Sequence, residues 1–252
     1  MSDSRAHGRD VFLDEYSSDE AVRRYTARSA GSGISHLQEH DYARAYLEAL
    51  DQHLRPPASI ALRVLEFGCG GGMNVIAIVK LLAREGRALD VAYGTDFSNV
   101  LVKAADADRI AGLPAEEGRK LSFHVARNET LRRDLAHSLD VAPDTLLNSF
   151  DFIVGVNTFR YCYRLGKAGE SAQGIFDLLT VGGVCVMIDM NSRFPAFRSK
   201  LRNPFTRVNE ETYLPSLSDY AETFQNAGFD VVARKNFCWV PHSAGPALTR
   251  LC

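Results

Sequence analysis

A glycine-rich turn between two apolar segments is the feature that most constrains this fold. The apolar run 60–67 leads into Gly68-Cys69-Gly70-Gly71-Gly72, and apolar residues at helical spacing follow from Val75 to Leu82. This order predicts a strand, a tight turn and a helix. The glycines permit positive φ angles and let a ligand approach the backbone without meeting a Cβ atom. The start of the helix offers N–H groups that have no partner within the helix.

Two acidic residues narrow the class of ligand that such a turn would bind. Several nucleotide-binding folds use a turn of this kind, but no Lys-Ser/Thr pair follows the glycines, which disfavours a P-loop. Glu66 lies just before the first glycine, and Asp96 ends the next apolar run, 91–95. An acid at the end of the second strand suits the two hydroxyls of a ribose.

Four sequence blocks, in this order, resemble class I S-adenosylmethionine (SAM)-dependent methyltransferases of the small-molecule type. The blocks are 66–72 for the E/D-x-G-x-G-x-G motif, 94–98 for the acid after strand two, 150–154 for strand four and 178–184 for the turn into strand five. The resemblance implies an α/β fold: a Rossmann-like three-layer sandwich with a mostly parallel, seven-stranded sheet and SAM as cofactor. It does not identify the substrate, because one fold hosts many reactions.

Helix signals at the start of the chain predict a helical N-terminal cap over residues 1–58. Capping-box patterns occur at 17–20 and 35–38. The resemblance implies that such an extension covers the cofactor, and it makes Tyr16 and Tyr25 candidate lid residues. Packing between helices is an equally good explanation for each tyrosine.

The remainder, 59–252, is predicted to form the SAM-binding domain. An Arg-, Phe- and Pro-rich stretch at about 191–214 is long for a plain connection, and we expect it to be a substrate loop. Strands are predicted at about 60–67, 89–95, 120–126, 150–156, 183–189 and 229–234, with a last antiparallel strand in the tail after 237.

Cofactor-binding residues follow from the glycine turn and from the resemblance. The predicted set is Glu66, Gly68, Gly70, Gly72, Asn74, Asp96, Phe97, Asn128, Asn157 and Tyr25. Many family members have an acid after strand three that binds the adenine amine. Arg127 stands at that place here, so Asn128 or its backbone neighbours are expected to bind the adenine edge.

Residues that act on the substrate should follow strands four and five, beside the cofactor crevice. We predict Asn157, Tyr161 and Asp189 as catalytic residues, and Phe159, Arg160 and Tyr163 as substrate-binding residues. Aromatic faces suit a sulfonium, and an arginine could clamp a carboxylate. Each role has an alternative. Phe159 and Tyr163 could belong to the core, and Arg160 could lie on the surface. Asp189 could cap the turn that follows strand five.

Composition and charge argue against several other classes of function. The net charge of −2 disfavours a nucleic-acid substrate, and no apolar run approaches a membrane span. The five cysteines form no C-x-x-C pair, and His36 and His40 have no third clustered ligand, so no metal site is expected. A cytoplasmic protein is the expectation, and a homodimer is compatible with the sequence.

Three functions remain open at the level of sequence. The first is methyl transfer to a small-molecule metabolite. The second is cyclisation or cleavage of SAM itself, in the manner of an azetidine-2-carboxylate synthase that releases methylthioadenosine. The third is SAM binding without catalysis. The stretch 157–160 lacks the Asn/Asp-Pro-Pro-Tyr motif of amino-methylating nucleic-acid enzymes.

Overall fold

The computed structural model describes residues 38–55, 59–190 and 214–236, together with Tyr16, Ser18, Glu20, Arg23 and Ser192. Tyr25, most of the first 37 residues of the predicted cap, most of the predicted substrate loop and the predicted last strand lie outside these residues.

A parallel sheet of five strands in the order β3-β2-β1-β4-β5 forms the middle layer. The strands are β1 (Leu62–Phe67), β2 (Leu89–Asp96), β3 (Leu121–Val125), β4 (Phe150–Val156) and β5 (Leu179–Ile188). Every residue of β4 is buried, as expected for a central parallel strand covered on both faces. The five corresponding sequence predictions are confirmed, although β5 begins at Leu179 rather than at 183.

Eight α-helices surround this sheet in the part of the chain that the structure describes. They are α1 (Ala43–Gln52), α2 (Met73–Arg84), α3 (Asn99–Gly112), α4 (Ala115–Lys120), α5 (Leu131–Ser138), α6 (Arg160–Arg164), α7 (Ala168–Leu178) and α8 (Leu217–Asn226). A π-helical turn (Gln38–Tyr42) precedes α1, and 3-10 turns lie at Asn128–Thr130 and Pro143–Leu146. None of the described helices is long and apolar enough to cross a membrane.

The two faces of the sheet bury separate hydrophobic cores, because successive side chains of a strand point to opposite faces. Val64 and Val154 pack with α1 and α2 on one face. Leu65 and Ile153 pack with α5, α7 and α8 on the other face. This arrangement is the expected three-layer α/β sandwich. The strand order reverses between β1 and β4, so the carboxyl ends of these two strands border the crevice in which α/β proteins bind ligands.

The predicted seven-stranded sheet is wrong for the described part of the chain, which contains five strands. The stretch 229–234 is described and contains no strand. Its alternating apolar residues have a different use, since Phe229 packs edge-on against Phe176 of α7 and Phe224 of α8. Packing of this kind produces the same apolar alternation as a strand, so the sequence pattern could not separate the two.

Candidate functional site

The glycine turn after β1 adopts the left-handed conformation that its sequence predicts. The φ angles of Gly68, Gly70 and Gly72 are 60°, 54° and 75°. A Cβ atom on Gly68 would lie 1.9 Å from Oγ1 of Thr158, and one on Gly72 would lie 2.6 Å from the Phe123 ring. The turn is therefore closely packed on both sides, and these two positions require glycine for steric as well as conformational reasons.

Asp96 fastens this turn to the end of β2. Its Oδ2 accepts from the Gly70 N–H and its Oδ1 accepts from the Ser98 N–H, both at 2.9 Å. The residue is 5% exposed, and burial raises the pKa of its carboxyl to about 6 against the opposing effect of these backbone donors. Each oxygen keeps a further lone pair that could accept a hydrogen bond from a ligand. Ribose binding by Asp96 is compatible with this geometry and stays a prediction.

Glu66 is fully buried beneath the turn and has an oxygen without a partner. Its Oε2 accepts from the Val75 N–H of α2 at 2.8 Å, whereas Oε1 has no hydrogen bond within the described part of the chain. Burial raises the pKa of Glu66 to about 8, although the Asn74 side chain and the Val75 N–H oppose this shift. The hydroxyl of Tyr46, on α1, is also buried and has no hydrogen-bond partner among the described residues. Burial, and to a lesser extent the Glu66 charge, raises the pKa of Tyr46.

Two N-terminal residues contact the edge of the sheet where the lid was predicted. Gln38 Nε2 donates to Asn74 Oδ1 at 3.0 Å, at the start of α2. The carbonyl of Tyr16 accepts from Ser98 Oγ at 2.5 Å, and its ring lies edge-on to Phe97 with centroids 6.3 Å apart. The Tyr16 hydroxyl also lies 3.5 Å from that of Tyr161.

The backbone after β4 is held in an uncommon conformation beside the glycine turn. Asn157 has a φ of 54°, and its N–H donates to the Ile188 carbonyl at 2.7 Å. The next residue, Thr158, is buried and accepts from Asn128 Nδ2 at 2.8 Å. Asn128 therefore supports the residue that packs against Gly68, and its predicted contact with adenine remains a prediction.

Arg160 and Asp189 form a buried ion pair across the ends of β4 and β5. Their side chains are 11% and 2% exposed. Arg160 Nη1 donates to Asp189 Oδ1 at 3.0 Å, and the Arg160 backbone N–H donates to Oδ2 at 2.9 Å. Arg160 also donates through Nη1 to the Asn157 carbonyl at 3.0 Å and through Nη2 to Tyr161 Oη at 2.7 Å. Burial raises the pKa of Asp189, and the Arg160 charge opposes this shift.

Phe159 and Tyr163 lie in an aromatic cluster against α8. Phe159 is fully buried, and its ring packs on Phe67, Tyr163 and Phe224. The Tyr163 hydroxyl donates to the Asp219 carbonyl at 2.8 Å and shares a hydrogen bond of 2.6 Å with Thr223. These contacts favour the packing alternative for both residues over a contact with substrate.

Part of the predicted set lies together at the carboxyl edge of the sheet; Tyr25 is outside the described residues, and Phe159 and Tyr163 belong to the aromatic cluster. The residues at this edge end or follow strands β1 to β5: those of the glycine turn, Asp96, Phe97, Asn128, Asn157, Tyr161 and Asp189. Three contributors were absent from the sequence prediction: Thr158, Tyr46 and Ser98. Ser98 carries the one readable signal, since it follows a strand and caps α3 by accepting from the Leu101 N–H. Groups of three or more metal-ligating side chains are absent from the described residues.

A parallel sheet of order β3-β2-β1-β4-β5, with a glycine turn after β1 and an acid at the end of β2, defines a Rossmann-like α/β fold. A sequence model described as "Methyltransferase domain" matches residues 34–234. The chain therefore belongs to this methyltransferase family. No curated protein sequence matches it.

Solved structures show the same fold. The CurJ carbon methyltransferase gives a TM-score of 0.57 at 15% identity, covering 89% of this chain and 55% of that one. The CMeT domain of the citrinin polyketide synthase gives 0.56 at 20%, covering 84% and 51%. The cyclase SpnF gives 0.53 at 16%, covering 76% and 59%. This chain thus spans little more than half the length of these three chains.

Proposed function

We propose that this chain binds SAM at the carboxyl ends of β1 and β2 and catalyses transfer of its methyl group to a small molecule. The cofactor supplies a sulfonium, which is already a strong electrophile. The protein then needs to bind it, to align a nucleophile and to exclude water.

The observation that carries this proposal is the pair of buried acids at the glycine turn. Glu66 and Asp96 are 0% and 5% exposed, and burial raises the pKa of both. Burying ionised carboxylates is costly unless a positive charge or hydrogen bonds compensate them. SAM carries positive charge on its amine and its sulfonium, so the residues present fit this ligand, and the unpartnered Oε1 of Glu66 is a candidate acceptor for the amine.

The protein groups around the crevice would position the reactants rather than supply covalent chemistry. Asp96 would accept from the ribose hydroxyls while it continues to hold the Gly70 N–H. Tyr16 would lie over the crevice opening and reduce the access of water. Asn157 and Tyr161, after β4, would border the methyl group and its acceptor.

Incubation of the purified chain with SAM alone, followed by addition of candidate metabolites, tests this proposal. Methyl transfer predicts no turnover until a metabolite is added, and then equal amounts of S-adenosylhomocysteine and methylated product. Release of methylthioadenosine from SAM alone would instead indicate cyclisation or cleavage. Binding without turnover under either condition would favour the non-catalytic function. The neighbour SpnF is described as a cyclase, so this fold hosts reactions other than methyl transfer.

A further inference from the structure

Arg160 carries one N–H group that has no hydrogen bond to any of the residues that the structure describes. The side chain is 11% exposed, and this group, Nε–H, is buried. Both terminal nitrogens are engaged: Nη1 with Asp189 and the Asn157 carbonyl, and Nη2 with Tyr161. Buried N–H groups are nearly always paired in native proteins. An oxygen atom from outside the chain would therefore complete the hydrogen bonding of Arg160.

The direction of this N–H follows from the covalent geometry of the guanidinium. Nε and Nη2 share one edge of the planar group, so their N–H bonds point in nearly the same direction, as they do in bidentate pairs. Nη2 donates to the Tyr161 hydroxyl at 2.7 Å, and the Arg160 Cζ lies 4.4 Å from the centroid of the Tyr161 ring. Donation to Tyr161 through the Nη2 hydrogen on this edge would place the unsatisfied N–H of Arg160 alongside the Tyr161 hydroxyl, near the end of β4.

The charge of the pair decides which kind of oxygen fits. Asp189 is 2% exposed and lies 3.0 Å from the guanidinium, so it already balances the positive charge of Arg160. A carboxylate placed beside Nε would bring a second negative charge into a buried site, which is costly without another cation. A neutral hydroxyl or carbonyl oxygen can accept the same hydrogen bond without adding charge.

We propose that Arg160 Nε and the Tyr161 hydroxyl form a subsite for a neutral hydroxyl or carbonyl oxygen of the substrate. This assignment rests on the proposed function for the identity of that substrate as a methyl acceptor. This subsite replaces the clamp for a substrate carboxylate that the sequence suggested, because Asp189 already neutralises the charge of Arg160. Arg160 is then a specificity-determining residue, and Asp189 acts through it as a positioning residue.

Nuclear magnetic resonance of ¹⁵N-arginine-labelled protein tests the subsite directly. The Arg160 Nε–H signal is assigned by its loss in Arg160→Lys, and the protein is titrated with acetamide or with sodium acetate at matched ionic strength. These probes have nearly the same shape and differ in charge. Acetamide should shift the Arg160 signal, and acetate should bind at least about tenfold more weakly. Tighter binding of acetate would overturn the proposal, as would the absence of any shift with acetamide up to about 0.5 M.

Asp189→Asn should reverse this preference, because it leaves the guanidinium charge uncompensated. Acetate should then bind more tightly than acetamide by about tenfold. Asp177→Asn is the matched control: Asp177 bonds Gln173 within α7, and its loss changes the net charge equally without touching Arg160. The same reversal in the control, or none in a folded Asp189→Asn, would overturn the argument.

Tyr161→Phe keeps the ion pair and removes the hydroxyl, so it provides a test if Asp189→Asn does not fold. It should weaken acetamide binding about threefold to tenfold, and an unchanged affinity would contradict the subsite. Calorimetry with S-adenosylhomocysteine separates this proposal from the proposed function. Failure to bind that compound would count against the methyltransferase function alone, whereas failure of the acetamide titration would count against the subsite alone.

Discussion

The two halves of the crevice both hold a carboxylate with backbone N–H groups, but among the described residues only the β4–β5 half adds a network of bonds between side chains. In the glycine-turn half, which comprises residues 66–72, Asp96 and Phe97, the acids accept from backbone N–H groups of Gly70, Ser98 and Val75.

In the β4–β5 half, which comprises residues 157–163 and Asp189, the Asp189 carboxylate also accepts from the backbone N–H groups of Arg160 and Met190. The side chains of Arg160 and Tyr163, by contrast, bond to other side chains or to carbonyl groups.

This difference has a consequence for what each half can do. A carboxylate held by backbone donors depends on the path of the chain, which the fold fixes. A network of side chains can change by single substitutions while the strands remain in place. Under the proposed function, the glycine-turn half would hold the cofactor and the β4–β5 half would contact the substrate.

The largest expected effect is the loss of stability in Gly68→Ala, in the glycine-turn half. The added Cβ would combine a positive φ of 60° with a contact of 1.9 Å to Thr158. Left-handed strain and overpacking together should lower the free energy of unfolding by about 3–5 kcal/mol, measured by urea denaturation. Gly71→Ala is the control, because a Cβ there meets nothing within 4 Å. Equal stabilities of the two variants would contradict the close packing of the turn.

A smaller effect should distinguish Glu66→Gln from wild type as the pH rises. The pKa of Glu66 is about 8 in the folded chain against 4.5 for the ordinary group, so the folded state holds an extra proton between these values. Wild type should therefore lose about 3 kcal/mol of stability relative to Glu66→Gln between about pH 5 and pH 7.5. Denaturation at both pH values measures this difference. A constant difference would show that Glu66 ionises normally.

The glycine-turn half could be read from the sequence, because its chemistry depends on residues adjacent to strand ends. The positions of Glu66 and Asp96 relative to the apolar runs were enough to place both beside the turn. The structure adds that both acids are buried, which spacing alone could not show. The sequence also could not predict that the Tyr46 hydroxyl is buried without a partner among the described residues. A tyrosine at an apolar position of a helix predicts only that its ring packs.

The sequence could predict where the β4–β5 half lies but not which of its side chains contact one another. Arg160 and Asp189 were singled out separately, yet nothing in a separation of 29 residues predicts an ion pair. Phe159 stood between core and site, since an apolar ring after a strand suits both, and its buried contacts with Phe67 and Phe224 favour the core. Side-chain networks of this kind depend on rotamers and on distant elements, so local patterns do not determine them.

Asp96→Asn should weaken the affinity for the proposed cofactor and leave the KM of the methyl acceptor nearly unchanged. An amide can no longer accept from both backbone donors, and charge-assisted bonds contribute roughly 1.5–3 kcal/mol, so the affinity for S-adenosylhomocysteine should fall about tenfold to a hundredfold. Calorimetry at pH 7.5, above the pKa of about 6, measures the ionised wild-type group. A change in the KM of the methyl acceptor without a change in this affinity would contradict the prediction, because it would show that Asp96 acts on the acceptor and not on the cofactor.

The smallest expected effect concerns Tyr16, which contacts both halves. Its ring packs edge-on against Phe97, next to Asp96, and its hydroxyl lies 3.5 Å from that of Tyr161. An edge-to-face ring contact contributes about 0.5–1.5 kcal/mol, whereas a hydrogen bond of this length contributes little. Tyr16→Ala should therefore weaken S-adenosylhomocysteine binding about threefold to tenfold, and Tyr16→Phe should leave it within about twofold. A larger loss in Tyr16→Phe would show that the hydroxyl contact with the β4–β5 half, rather than the ring contact with the glycine-turn half, couples Tyr16 to the ligand.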